Sequence, residues 1–455
     1  MTDESEYRVV RAGWAVTMAP EGQGRDSQAV ADPGVIEDAA IVISGTDIVE
    51  VGTWAEVRNT NPDAVVSHLP GHVLLPGLVN THTHLAMTMF RGIADDRVLD
   101  EFLRTVLPLE ARNLDEDRVE RASRAAVVES QLCGVTSSVD MYFFPEAVLE
   151  AAQQAGGRVL TGPVVLDEPG PDAPEVDAET RLALAADFLA EHPPRDGWRP
   201  VVGPHATYTV SPEHLRDAAA IAREGGALLN IHAAETAQEV EMVAEAHGHP
   251  PVALLAELDV LGPDVLLAHG VHLEDTEVRM LAESGASVAH CPASNLKLAS
   301  GVAPVQRLLS AGVNVSLGTD GPASSNDLDL LAATRLAALI HKATDPVGAD
   351  ATILPAPLAI AMATTRGASA VGLESRLGTL APGMLADMVA IDLDRPFTQP
   401  VHDVCSAVVY AAGRDAVTDV WCEGRHVVGG GRHKLLDEAE LSRDLADLGA
   451  SLRFD

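Results

Sequence analysis

Two histidines one residue apart, His82 and His84, close an apolar run that begins at His72 and reads as a short buried strand. Residues i and i+2 of a strand point to the same side. Two imidazoles on one side of a strand end can share one metal ion, and neutral histidine is the commonest metal-ligating side chain. The same pair in a surface loop would carry no chemistry, so the later runs decide. Five more of them end in a group that can bind a metal or move a proton: His205, His232, His269, His290 and Asp320. One histidine at such a place is more often structural. A set converging on one face is hard to assign to packing. Asp320 sits between Thr319 and Gly321, with Gly318 before and Pro322 after, which is also an ordinary turn signal.

The elements that would position these groups alternate. Helical spacing covers 98–109 and 115–132, then 134–140 reads as strand, 145–155 as helix and 158–166 as strand. A helix at 180–192 has Asp177 as its cap, followed by strand 199–205 and helix 212–224. Strand 227–232 leads into helical 237–247 and 251–258. Strand 265–269, helix 275–283, strand 286–290, helix 302–311 and strand 313–320 follow, with helical 328–341 and 354–371 last. Counting the strand from 72 onward gives eight strands, each followed by helical sequence. That order predicts an α/β fold, a (β/α)8 TIM barrel whose site lies at the carboxyl ends of its strands.

Both ends of the chain are β-rich. Pieces at 7–18, 39–43 and 47–51 need partners, and 388–392, 407–410, 417–422 and 425–428 supply them. We expect one small β-sandwich domain built from residues 1–75 and 376–455, flanking a barrel at 76–375. The chain has 455 residues, 47% of them apolar, enough for a barrel plus an accessory domain. A net charge of −36 argues against nucleic acid or an anionic membrane as partner, since both need a basic face. The segment 1–6 is acidic and polar, with no basic and apolar regions of a secretory leader. No uninterrupted apolar run reaches the about 18 residues of a membrane span. Cys133, Cys291, Cys405 and Cys422 are scattered, which predicts free thiols in a reducing cytoplasm.

The stretches Asn80-Thr81-His82-Thr83-His84, Ile231-His232-Ala233-Ala234-Glu235-Thr236, Ala268-His269-Gly270-Val271-His272-Leu273 and Gly318-Thr319-Asp320-Gly321 together resemble the amidohydrolase superfamily. Within it, Arg91-Gly92-Ile93-Ala94-Asp95-Asp96 and Pro292-Ala293-Ser294-Asn295-Leu296-Lys297-Leu298 resemble the 5-methylthioadenosine/S-adenosylhomocysteine deaminases. The resemblance runs over nearly the whole chain. It implies hydrolytic deamination of an adenine nucleoside to the inosine analogue and ammonia.

The chemistry of the residues agrees. His82, His84, His232 and Asp320 suit one divalent ion, Zn2+ before Fe2+ or Mn2+, with a water in the open position. Such a site lowers the pKa of that water toward about 7. Some members of the superfamily bridge two metals with a modified lysine. The first lysine here is Lys297, so the fourth strand offers none and a mononuclear site is expected. The resemblance makes Glu235 the proton shuttle, although alone it is also a first-turn helix carboxylate. It makes Asp320 the acceptor of the water's proton, and His269 the residue that hydrogen-bonds the attacking oxygen.

Substrate contacts follow the same logic. Glu110 matches the family carboxylate that binds ribose hydroxyls; by position alone it is equally an exposed helix glutamate. His205 matches a residue that contacts purine or ribose, or is a structural strand-end histidine. Phe102 stands where relatives often place a tryptophan, to stack on a purine or to fill core. Ser294 and Asn295 are expected to shape the loop after strand seven, and Lys297 to be a solvated charge on it. One departure concerns the 5′ end of the nucleoside. Relatives carry an arginine near the end of strand three, where this chain reads Thr161-Gly162-Pro163-Val164. The loop 167–177 is acidic and proline-rich, followed by Arg181. This predicts poor binding of a homocysteine carboxylate, and favours adenosine, 5′-deoxyadenosine, methylthioadenosine or another amino-heterocycle.

Two other classes share the sequence features. One is a hydrolase of guanine, pterin or triazine type, and Glu110 favours a ribose over it. The other is a catalytically dead interaction protein, which would have lost metal ligands; none is lost here. The expected partners are a small nucleoside and other copies of the chain in a dimer or tetramer.

Overall fold

The computed structural model describes residues 7–19, 32–172, 176–344 and 350–454. The acidic segment 1–6 and positions 173–175 of the acidic loop lie outside the described residues.

The barrel strands are Leu78–Thr83, Val135–Asp140, Arg158–Leu160 with Val164–Val165, Val201–Pro204, Leu228–Ala233, Val265–His269, Ser287–His290 and Asn314–Leu317. Their ladders run parallel. The third strand is interrupted at Gly162-Pro163. A Cβ on Gly162 would lie 1.8 Å from the Val201 carbonyl oxygen, so the backbones approach too closely there for any side chain. Pairing resumes when Gly203 N donates to Pro163 O at 3.0 Å and His205 N to Val165 O at 3.1 Å. The last strand meets the first where Asp320 N donates to His82 O at 3.0 Å. Two of the candidate site residues are therefore joined by the bond that closes the barrel.

Amphipathic helices cover the strands. Helix Pro212–Glu224 begins at Ser211, whose side chain accepts from His214 N, and has Pro212 in its first turn. It buries Leu215, Ala218, Ala219 and Ala222, a single face at helical spacing. Helix Leu99–Asn113 runs four residues past its expected end and carries Pro108 inside.

The terminal segments form one eight-stranded sheet. Its order is Arg432–His433, Arg425–Gly429, Val417–Cys422, Met388–Asp392, Val65–Pro76, Arg8–Val16, Val35–Ser44 and Asp47–Thr53. The two ends of the chain meet where Met388 lies opposite Pro76 and Asp392 opposite His72. Arg158 of the third barrel strand fastens this sheet to the barrel. Its buried guanidinium pairs with Asp387 and donates to Glu423 at 2.7 Å and Ser137 at 2.9 Å.

The structure corrects several expectations. The run from His72 to Val79 is not one strand. Val65–Pro76 belongs to the terminal sheet and Leu78–Thr83 to the barrel, and between them Gly77 N donates to Asp387 O at 2.8 Å. Residues 407–410 were expected as strand but lie in a π-helical turn, Ala407–Ala411. A helix capped by Asp403 leads into that turn, and Arg335 Nε donates to Val409 O at 3.0 Å. Tertiary packing overrides the β-preference of Val408 and Val409. The segment 354–371 is two helices, Ala356–Ala363 and Thr365–Ala370. The helices Trp54–Thr60 and Glu438–Ala450 were not anticipated. Among the described residues, no helix is long and apolar enough to cross a membrane.

Candidate active site

Three imidazoles point their Nε2 atoms at one spot because their Nδ1 atoms are tied elsewhere. His84 Nδ1 donates to Met141 O at 2.6 Å and His232 Nδ1 to His205 O at 2.7 Å. His82 Nδ1 lies 3.2 Å from Asn230 Oδ1. Asn230 donates its amide Nδ2 to Leu266 O at 3.1 Å, which fixes Oδ1 as the acceptor for His82. Each ring thus carries a proton at Nδ1, so that its neutral form presents the Nε2 lone pair to a cation. His232 Nε2 lies 3.1 Å from His82 Nε2 and 3.3 Å from His84 Nε2.

Asp320 brings the fourth donor. Its Oδ1 lies 3.2 Å from His84 Nε2 and 3.6 Å from His82 Nε2. Its Oδ2 accepts from Ser294 Oγ at 2.6 Å and Ser324 Oγ at 2.9 Å. Donors about 2.0–2.1 Å from a tetrahedral zinc stand about 3.4 Å from one another, so the observed spacings fit the ion. Burial and the neighbouring imidazole of His84 depress His82 to about 3, which keeps it a neutral ligand. Burial would also depress His84, but the Asp320 carboxylate outweighs it and lifts the ring to about 9. A proton shared by that pair would leave when a cation arrives. Three residues at the strand ends hold left-handed backbone: Ala234 at φ 54°, His269 at φ 76° and Asp320 at φ 61°. Such strain clusters where function requires a set geometry.

Glu235 and His269 lie beside this centre, with a ring nitrogen of His269 within 4.8 Å of ligand atoms of His82 and Asp320. His269 Nδ1 meets Asn295 Oδ1 at 2.9 Å, and its Nε2 stands 3.7 Å from Glu235 Oε2. Glu235 Oε1 accepts from Ser300 Oγ at 3.2 Å. Burial pushes its carboxyl pKa up, so it can hold a proton. Glu239 secures the backbone here by accepting from Ala234 N at 2.9 Å and Glu235 N at 2.7 Å.

All four donors except His82, together with Glu235 and His269, line a cavity of about 430 Å³. Glu110, His205 and Phe102 line it too. Glu110 is buried, not an exposed helix residue, and the Tyr142 hydroxyl donates to it at 2.6 Å. His205 Nδ1 meets Thr209 Oγ1 at 3.0 Å, while that hydroxyl donates to Ala206 O at 3.3 Å. The His205 ring therefore carries its proton on Nδ1 and leaves Nε2 as an acceptor; burial lowers its pKa to about 4.

Two expectations need correction. His290 does not join the centre. It is buried with its Nε2 3.1 Å from His341 Nε2, a neutral pair away from the convergence. Lys297 is not a solvated charge. Its Nζ donates to Asp95 at 2.6 Å, Ala323 O at 3.3 Å and Asn326, latching the loops after the first, seventh and eighth strands. Sequence reasoning missed Tyr142, Asn230, Ser300, Ser324 and Glu239, whose partners are distant or unremarkable in sequence. Ser294 and Asn295 do more than shape a loop: they hold Asp320 and His269.

The pattern of the amidohydrolase family matches residues 73–427. The 5-methylthioadenosine/S-adenosylhomocysteine deaminase of Thermodesulfovibrio yellowstonii is 37% identical over 436 residues, covering 95% of this chain and 96% of that protein. The 5′-deoxyadenosine deaminase of Methanothermobacter thermautotrophicus is 40% identical over 423 residues, 91% of this chain and 96% of that one. Among solved structures, an adenosine deaminase from Xanthomonas campestris with bound zinc superposes with a TM-score of 0.90 at 34% identity, covering 98% of each chain.

Proposed function

The chain belongs to the amidohydrolase family, and from that premise we propose that it is a metal-dependent hydrolytic deaminase of adenine nucleosides, converting the 6-amino group to a carbonyl with release of ammonia. One observation carries the reading. His84, His232 and Asp320 line the same cavity as Glu235 and the buried Glu110, and His82 converges on them from behind its wall.

His82, His84, His232 and Asp320 would hold a divalent ion, which would supply an activated water for attack on C6 of the purine. Asp320 would take the proton of that water, its carboxylate held by Ser294 and Ser324 at Oδ2 and by Gly321 N at Oδ1. Glu235 gives its proton to the ring nitrogen, recovers one from the C6 hydroxyl as the carbonyl forms and passes it to the departing amine. The proton held by Asp320 returns to Glu235 to reset the site. Burial raises the Glu235 pKa and favours the protonated form. His269 Nε2 stabilises the attacking oxygen, oriented through Nδ1 by Asn295. Glu110 accepts the ribose hydroxyls, His205 Nε2 accepts from the bound nucleoside, and Phe102 packs on the base. Zinc is the proposed ion, on the strength of the N3O donor set and the zinc in the Xanthomonas relative. The four thiols are unpaired and buried, in keeping with a reducing cytoplasm.

The test is ammonia release by metal-replete protein from adenosine, 5′-deoxyadenosine, methylthioadenosine, guanine, cytosine and an amino-triazine. The expected result is turnover of the nucleosides, lost by a factor of about 100–10,000 in Glu235→Gln with the metal retained. Turnover of a free base and of no nucleoside would overturn the reading.

A further inference from the structure

Beyond Glu110 the cavity continues along helix Leu99–Asn113. Leu107, Leu103 and Leu99 extend the wall at helical spacing, and at 1.5 Å per residue Leu99 stands about 16 Å along the axis from Glu110. Phe143, Leu166 and Pro169 line the same cavity. Apart from the imidazoles at the candidate metal centre, the charged groups that line the cavity are carboxylates, with Glu168 exposed on the loop after strand three. Among the described residues no lysine or arginine lines it. The stretch 167–177 contains neither residue type. The nearby arginine, Arg181, is buried, and Asp172 holds its guanidinium at 2.9 Å. A Cβ on Gly170 would lie 2.8 Å from that guanidinium, so Arg181 packs directly against the loop.

We propose that this distal chamber receives the 5′ substituent of the nucleoside and selects it by charge. It takes neutral apolar tails, and tails ending in an ammonium group that pairs with Glu168, and it rejects tails that carry a carboxylate. The inference rests on the reaction assigned above. Each buried CH2 of a tail adds about fourfold in affinity against the apolar walls. A carboxylate in the same place loses water, finds no cation and faces Glu168.

The test uses a matched pair that differs by one group. S-adenosylhomocysteine carries an ammonium and a carboxylate; 5′-(3-aminopropylthio)-5′-deoxyadenosine keeps the ammonium alone. Steady-state kcat/KM is measured for both, with methylthioadenosine as the neutral reference, on the full metal-replete chain. The aminopropyl and methylthio compounds should exceed S-adenosylhomocysteine by about 10-fold or more. Glu168→Arg, at an exposed position that tolerates substitution, should raise the S-adenosylhomocysteine to aminopropyl ratio by about 10-fold. Equal kcat/KM for the matched pair, or a ratio unmoved by Glu168→Arg, would overturn the inference while the deaminase reading stands. Turnover of no nucleoside at all would overturn both.

Discussion

The Tyr142 hydroxyl donates to Glu110 Oε1 at 2.6 Å, and both residues are buried against the cavity. This bond leaves Oε2 of Glu110 to the ligand and favours the ionised carboxylate. A hydrogen bond to a charged group contributes about 1.5–3 kcal/mol. With Glu110 assigned to the ribose hydroxyls, Tyr142→Phe should raise KM for adenosine by about 10-fold or more, with kcat little changed. Turnover of 2′,3′-dideoxyadenosine, which lacks both hydroxyls, should not respond. An equal loss on both substrates would mean that Tyr142 supports the fold and not ribose recognition.

Glu110 also predicts a pH dependence. Burial pushes its carboxyl up to about 7, against the opposing pull of the Tyr142 hydrogen bond and of His84. The ionised form is the one that accepts two hydroxyl protons. It is present above the raised pKa and lost as pH falls through it. KM for ribonucleosides should therefore climb as pH drops below about 7. Because the phenol lowers the Glu110 pKa, Tyr142→Phe should move that climb to higher pH. A KM flat from pH 5 to 8 would remove Glu110 from the binding step.

Asn230 holds His82 at a distance from any ligand. Replacing it with leucine keeps the volume and deletes the acceptor that fixes the Nδ1–H tautomer. Loss of such a contact behind a metal ligand typically costs about 10–100-fold in metal affinity. Competition with a chelator would measure it. Unchanged affinity would show that packing alone orients the ring.

Asp387 and Arg158 form a buried ion pair between the terminal sheet and the barrel. Asp387→Ala leaves the guanidinium buried with only the half-exposed Glu423 as a carboxylate partner. Breaking one side of a buried pair costs about 3–5 kcal/mol. The double variant Arg158→Met with Asp387→Leu should recover part of that loss, because neither charge is then stranded. Urea denaturation of the three proteins checks it; no gain in the double variant would locate the cost elsewhere.

Much of the barrel was legible because its signals are local. Strand runs end where glycine, proline or a polar residue interrupts them, and helices such as Pro212–Glu224 announce themselves by cap and period. His82 and His84 identified their own face by spacing alone. Val65–Pro76 and Leu78–Thr83 did not separate in the sequence, since one apolar run crosses both and only the sheets they join distinguish them. Residues 407–410 misled for the opposite reason: their β-preference is real, but the surrounding helices claim them.

By itself the sequence determined the kinds of donor and the ends of the chain segments that carry them, because metal ligation and secondary structure depend on residue type and short spacing. Only the tertiary structure decided which donors meet. It brought Asp320 beside His84, 236 positions away in the numbering, and sent His290 to His341 instead. It also placed Asn230 behind His82, Tyr142 on Glu110 and Lys297 across three loops. These are contacts between side chains on different strands and loops. They follow from barrel closure and burial, which no window of neighbouring residues contains.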